Sequence, residues 1–165
     1  NGSRVNIGDK LLGIQSGGLH SNGFSFVRKI FKEEEIKKGL WRVLLKPTLI
    51  YAKPVLGLIK KIDVKGIAHI TGGAFYDKLP RILHGKKAIR IYKGSWQIPA
   101  IFNEIQEKGC VPNKEMYRVF NMGLGMVLAI SGKDVLSAKK ILKTFRLKSW
   151  VIGEVINGNI EVIFV

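Results

Sequence analysis

One cysteine, five prolines and twelve acidic residues are thinly spread through 165 positions, and each scarcity removes a class of protein. The lone Cys110 excludes an internal disulfide framework and fits a reducing compartment, so a cytoplasmic location is expected. No apolar run approaches the roughly 20 residues of a membrane helix. The first residues are polar and turn-like, without the pattern of a secretory signal. There is no Gly-Lys-Ser/Thr phosphate loop and no dinucleotide fingerprint. Internal repeats and low-complexity tracts are absent too, so residues 1–165 are expected to form a single domain.

The shortage of acids leaves a strong imbalance. Lys and Arg number 28 against 12 Asp and Glu, a net charge of +16. Such a balance suits nucleic acid, anionic lipid or a phosphorylated ligand. The cations are spread along the whole chain, however, with neither a dense basic block nor an aromatic-studded basic strand. A solvated basic surface, or a basic cleft for a small anionic substrate, is therefore expected in preference to specific nucleic-acid binding.

Glycine is abundant, and it clusters. The first cluster is Ser16-Gly17-Gly18-Leu19-His20-Ser21-Asn22-Gly23, between an apolar strand at Lys10 to Gln15 and a helix from Phe24 to about Glu34. Ser21 or Asn22 is expected to cap that helix. Several N–H groups and a positive dipole end would then point at one spot, suited to a phosphate or an oxyanion. His20, on the lip, can move a proton near neutral pH, and a lip residue buries little, so its loss should barely affect stability. A plain tight turn, with glycine relieving backbone strain, explains the same residues.

A second cluster, His69-Ile70-Thr71-Gly72-Gly73-Ala74, follows a short strand at Gly66 to Ile70. A third, Tyr117 to Gly125, joins a short helix opened by Asn113 to a buried strand at Met126 to Ile130. Between them, Thr48 reads as the cap of a helix striped with Tyr51, Val55, Leu58, Ile59 and Ile62, with Pro54 in its first turn or at a kink. Lys32 to Gly39 reads as a charged helix end or exposed loop. An amphipathic helix spans Asp134 to Phe145. Asn157-Gly158-Asn159 predicts a hairpin between strands Trp150 to Ile156 and Ile160 to Val165. The alternation gives an α+β fold, a mixed β-sheet flanked by helices.

Taken together, the clusters resemble the phosphoribosylformylglycinamidine cyclo-ligase (aminoimidazole ribonucleotide synthetase) family. The residues that carry the resemblance are His20-Ser21-Asn22-Gly23-Phe24-Ser25, the stretch around Lys46-Pro47-Thr48, and Ile67 to Gly73 with Pro80-Arg81. Ser95-Trp96-Gln97 and Glu115-Met116-Tyr117-Arg118-Val119-Phe120-Asn121-Met122-Gly123 complete the series. The segment between Ile30 and Leu44 is shorter than in the family, and Ala74 and Ile98 stand where Gly and an aromatic are common. The resemblance covers only the family's C-terminal, substrate-binding half, and the chain reads as cut from something longer.

The resemblance implies ATP-dependent ring closure of formylglycinamidine ribonucleotide to aminoimidazole ribonucleotide, with ADP and phosphate released, in purine biosynthesis. It implies His20 and His69 as catalytic residues. Gly18, Ser21, Asn22, Thr71, Gly72, Gly73, Arg118 and Asn121 are implied to hold the phosphorylated small-molecule substrate, with an Arg118–Glu115 ion pair as the other reading of Arg118. No metal ligands are expected here. ATP and Mg²⁺ would be bound mainly by an N-terminal half, which also builds a homodimer, and the fragment alone would be inactive. The alternatives are a half-domain of a related ATP-dependent synthase or kinase, or a non-catalytic basic binding module.

Overall fold

The computed structural model of the chain describes residues 2–165. In chain order its elements are β1 (Lys10–Gln15), α1 (Phe24–Ile30), α2 (Glu33–Glu35), α3 (Trp41–Leu44), α4 (Ala52–Ile59), β2 (Val64–His69) and α5 (Ala74–Lys78). They continue with β3 (Lys87–Ile91), α6 (Ala100–Lys108), α7 (Asn113–Val119), β4 (Leu124–Ile130), α8 (Val135–Thr144), β5 (Ser149–Asn157) and β6 (Val162–Phe164). The strands form one sheet in the order β2-β4-β1-β5-β3-β6. Every neighbouring pair is antiparallel except β3 and β6, which run parallel. The result is the expected α+β fold with a mixed sheet.

Strand β4 is buried along its whole length because both faces of the sheet are covered. Its side chains alternate from Met126 to Ile130, as strand geometry requires, and a register shift at Gly125 turns Leu124 to the other face. Leu124, Val127 and Ala129 join the larger core with Phe75, Phe102 and Phe120, while Met126, Leu128 and Ile130 join a second core under α4 and α8. Val55 and Leu58 from α4, and Ala138 and Leu142 from α8, lie in the second core, whereas Ile59, expected in the α4 stripe, is exposed because it lies one residue round the helix from Leu58. Each fully buried Leu, Ile or Phe contributes roughly 1.5–3 kcal/mol. No helix among the described residues is long and apolar enough to cross a membrane.

The local expectations are revised at four places. Helix α1 stops at Ile30 because the buried Phe31 is extended (φ −101°, ψ 136°). The charged run after it is helical: α2 passes through a π-helical turn, Ile36–Leu40, into α3, with Glu33 paired to Lys37 and Glu35 to Lys108. Caps shift as well. Gly23, Tyr51 and Pro112 precede α1, α4 and α7, and none of these helices has a side-chain cap from Ser21, Asn22, Thr48 or Asn113. Pro54 does sit in the first turn of α4, where it costs no intrahelical bond.

The C-terminal hairpin does not form. Both edges of β5 are already occupied, by β1 and β3, so β6 crosses over and adds to the far side of β3. Phe164 anchors it there, with its ring centroid 4.6 Å from that of Tyr117, 5.5 Å from Tyr76 and 5.7 Å from Phe75. Phe164→Ala should therefore lower stability by about 1–3 kcal/mol in urea unfolding. It should also deprotect the amides of Ile89, Lys93 and Val165, which bond across the β3–β6 seam. Unchanged stability with all three amides still protected would show that β6 is held by something else.

Candidate functional site

Topology brings the three glycine clusters together. Strands β1 and β2 flank β4 and both run antiparallel to it, so they end where β4 begins. The registers agree: Ile14 of β1 and His69 of β2 lie opposite the same residue, Met126. Backbone bonds close the seam, Ser16 N–H to the Gly123 carbonyl at 2.7 Å and Ile70 N–H to the Gly125 carbonyl at 2.9 Å. Each cluster contains one non-glycine residue at positive φ: His20 (59°), Ala74 (37°) and Met122 (49°). Such conformations cost energy for residues with a side chain and persist only where the surroundings enforce them.

Asn121 does much of the enforcing. It is 1% exposed, its Nδ2 donates to the Gly18 carbonyl at 2.8 Å, and its Oδ1 accepts from Gly123 N–H at 2.9 Å and from the Ser16 hydroxyl at 3.2 Å. Trp96 Nε1 donates to the Met122 carbonyl at 2.9 Å, pinning the third cluster from below. From above, the segment after α3 lies against the first. A Cβ on Gly17 would stand 2.6 Å from the Pro47 carbonyl oxygen, and one on Gly18 would touch the Lys46 Cβ at 3.4 Å. Gly17 is needed for that close approach.

His20 is not on a lip. Only 6% of it is exposed, and its ring lies beside Tyr51 and His69, with the three centroids 6.1–6.4 Å apart. Gly17 N–H donates to its Nε2 at 3.2 Å, which puts the proton of the neutral ring on Nδ1, and that atom is buried without a partner among the described residues. Burial, and then the nearby His69, push the His20 pKa down to about 4. His20 is thus neutral near pH 7 and braces the turn. Tyr51 covers it: the phenol donates to the Gln15 carbonyl at 2.7 Å, and the hydroxyl stands where a Cβ on Gly125 would be. Burial pushes the Tyr51 pKa up, so the phenol keeps its proton.

His69 is the exposed member of the trio, at the end of β2. Thr71, Gly72 and Gly73 follow it, and Asn22 reaches across, its Oδ1 3.5 Å from where a Cβ on Gly72 would stand. His20, His69, Asn22 and the Thr71–Gly73 turn are therefore gathered, with Ser21 exposed beside them. Gly18 and Asn121 are bonded to one another, so Asn121 spends one Nδ2 hydrogen and its Oδ1 on the turns themselves. Arg118 is elsewhere. It lies on α7, 3.4 Å from the Glu115 carboxylate, with Tyr76 as its electrostatic neighbour. Tyr51 enters the sequence reading only as a position in an apolar stripe, and nothing in a stripe separates a buried hydroxyl from a buried ring.

A family model described as AIR synthase related protein, C-terminal domain, matches residues 6–165. The chain belongs to that family. A phosphoribosylformylglycinamidine cyclo-ligase of Caldicellulosiruptor bescii is 48% identical over 95% of the chain and 49% of its own length. One from Carboxydothermus hydrogenoformans is 47% identical over 98% of the chain and 50% of its own length. The chain thus spans about half the length of the curated relatives it matches. Among solved structures, a thiamine-monophosphate kinase from Stenotrophomonas maltophilia and a hydrogenase maturation protein, HypE, each give a TM-score of 0.67. Both are 14% identical over 99% of this chain, covering 52% and 51% of their own chains, and at that identity the likeness is one of fold.

Two outcomes are expected from this geometry. Asn121→Ala leaves the Gly18 carbonyl and the Gly123 N–H without partners and should cost about 2–4 kcal/mol of stability in urea unfolding. A loss under a few tenths would mean the turn holds without it. For His20, the unfolded chain takes up a proton near pH 6.5 and the folded chain only near 4. The penalty is absent above pH 6.5 and grows as the pH falls toward 4, reaching roughly 3 kcal/mol. His20→Asn, which tolerates positive φ, should flatten that part of the stability-versus-pH curve. An identical curve for both proteins would refute the assignment.

Proposed function

We propose that this chain is the substrate-binding, C-terminal half of an ATP-dependent phosphoribosylformylglycinamidine cyclo-ligase acting in the cytoplasm. What carries the reading is identity of 47–48% over nearly the whole chain to enzymes of that name. The proposed reaction closes formylglycinamidine ribonucleotide to aminoimidazole ribonucleotide. An amide oxygen is a poor leaving group, so it first accepts a phosphoryl group. The amidine nitrogen then attacks the activated carbon, and phosphate departs.

In this scheme His69 is the proton-transfer group, because it is the exposed imidazole at the junction of the clusters. His20 is a positioning residue: its neutral ring holds the Gly17 N–H and so the shape of the Ser16–Gly23 turn. Asn22, Ser21, Thr71 and the Gly72–Gly73 backbone bind and orient the substrate. Gly18 and Asn121 set the turn from below, and Arg118 contributes, if at all, at long range. Mg²⁺ and the nucleotide are assigned in this reading mainly to an N-terminal half, and the nucleotide would supply the phosphoryl group. A protein of the same fold, AaThiL, was solved in complex with AMPPCP and TMP, at 17% identity and a TM-score of 0.63 over 99% of this chain and 50% of that one.

An N-terminal half is also invited by the surface. Trp41, Val43, Leu45 and Ile50 are exposed on and beside the segment that covers Gly17 and Gly18. Large exposed apolar side chains along one short segment suit a contact site. The intact enzyme is proposed to be a homodimer built through that other half.

The test is reconstitution. This chain alone should show no ring closure, and a mixture with the N-terminal half of a close relative should show ATP-dependent formation of aminoimidazole ribonucleotide. In that mixture His69→Ala should lower turnover about 10²–10⁴-fold, the usual range for lost acid–base help. It should leave the folding stability of this chain nearly unchanged. Ring closure by the chain alone, or full activity of the variant, would overturn the assignment.

A further inference from the structure

A groove of about 440 Å³ runs along the outer edge of β2, from His69 and Thr71 toward Arg4. Its volume lies within the range of small-molecule sites. β2 is the last strand on its side of the sheet. Ile67 and His69 share one face of the strand, and Gly66 and Ala68 the other, so the groove takes in the strand's edge and the Gly66 face. On the Gly66 side the wall is the end of α5 and the 3₁₀ turn Pro80–Ile82, brought close because Gly66 has no side chain: a Cβ there would stand 3.2 Å from the Ile82 Cβ.

Four cations line this groove, and they are not equivalent. Arg4 is paired with Asp63, and Lys65 is paired with the buried Asp9 at 2.5 Å. Lys78 and Arg81 form no ion pair among the described residues. Arg81 is nonetheless held in place, because its Nε donates to the Asp77 carbonyl at 3.0 Å and leaves the rest of its guanidinium fork toward the groove's contents. Two uncommitted positive charges match the charge of about −1.5 to −2 on a phosphate monoester at pH 7. The free edge of a strand supplies N–H and C=O groups suited to hydroxyls.

We propose that this groove binds a pentose phosphate monoester, with Lys78 and Arg81 as the residues that select for the phosphate. The inference rests on the reading above and deepens it. The substrate lies along β2 with its phosphate held by Lys78 and Arg81, and its reacting end reaches His69 and the glycine clusters. Arg118, 3.4 Å from Glu115 on α7, takes no part.

The experiment is a titration of this chain with ribose 5-phosphate, followed by amide and imidazole NMR shifts, with ribose and inorganic phosphate as separate arms. Saturable shifts at His69, Thr71 and Arg81 are expected with ribose 5-phosphate, and weaker binding with either fragment. Lys78→Gln/Arg81→Gln should weaken that binding at least tenfold, the scale of lost hydrogen bonds to a charged group. Both side chains reach the surface, and an unchanged amide spectrum elsewhere checks the fold. Lys139→Gln/Lys143→Gln, which removes two exposed charges from α8, should leave it unchanged. No saturable binding, equal losses in the two double variants, or inorganic phosphate binding as tightly as the sugar phosphate would overturn the proposal. The reconstituted ligase separates the two readings. Ring closure with an unchanged KM in Lys78→Gln/Arg81→Gln would remove the groove and keep the ligase. Groove binding without ring closure would do the reverse.

Discussion

Asn121 is the interaction on which the site depends. A single buried carboxamide joins the carbonyl of Gly18, the hydroxyl of Ser16 and the N–H of Gly123, so the first and third glycine clusters share one side chain. Buried polar groups are costly unless they are paired, which makes an amide holding three partners a rigid fixture. The left-handed residues around it, His20 and Met122, are tolerable because this fixture leaves the backbone no cheaper route. The second cluster is tied in by strand pairing instead, through Ile70 and Gly125.

The division of labour between the two histidines follows from that rigidity. His20 is inside the fixture, accepting from Gly17 and covered by Tyr51, and burial keeps it neutral. His69 stands one strand further out, on the edge and exposed. Two residues of one type, a ring's width apart, are thus given different chemistry by depth alone. The positive surplus is sorted in the same way. Lys10, Lys65 and Arg4 are matched by Glu154, Asp9 and Asp63, whereas the cations of α8 are left to solvent.

Much of this was legible in the sequence. Strand periods and glycine clusters located β1, β2 and β4 and the three loops that meet at their ends, because alternation and turn chemistry are local properties. The failures are those of non-local competition. Ser21 and Asn22 have the chemistry of caps, but Phe120 lies so close to Gly23 that a Cβ there would be 2.1 Å from its ring, and Asn22 turns toward Gly72. Asn157-Gly158 has the composition of a hairpin turn, yet the neighbouring place on β5 belongs to β3. His20 beside glycines looks accessible until Tyr51, 31 residues later, is laid over it. Asn121 has the right donors and acceptors for a substrate amide, and the backbone claims them first.

The strand order also has a temporal side. β1 pairs only with β4 and β5, although β2 and β3 precede both in the chain. During synthesis the apolar stretch Leu11–Ile14 therefore emerges long before either of its partners. With more than a hundred residues between β1 and β4, and translation at about 5–20 residues per second, that delay is on the order of ten seconds. For that interval β1 has neither of its native strand partners, so the sheet that assembles the candidate site can close only after most of the chain has been made.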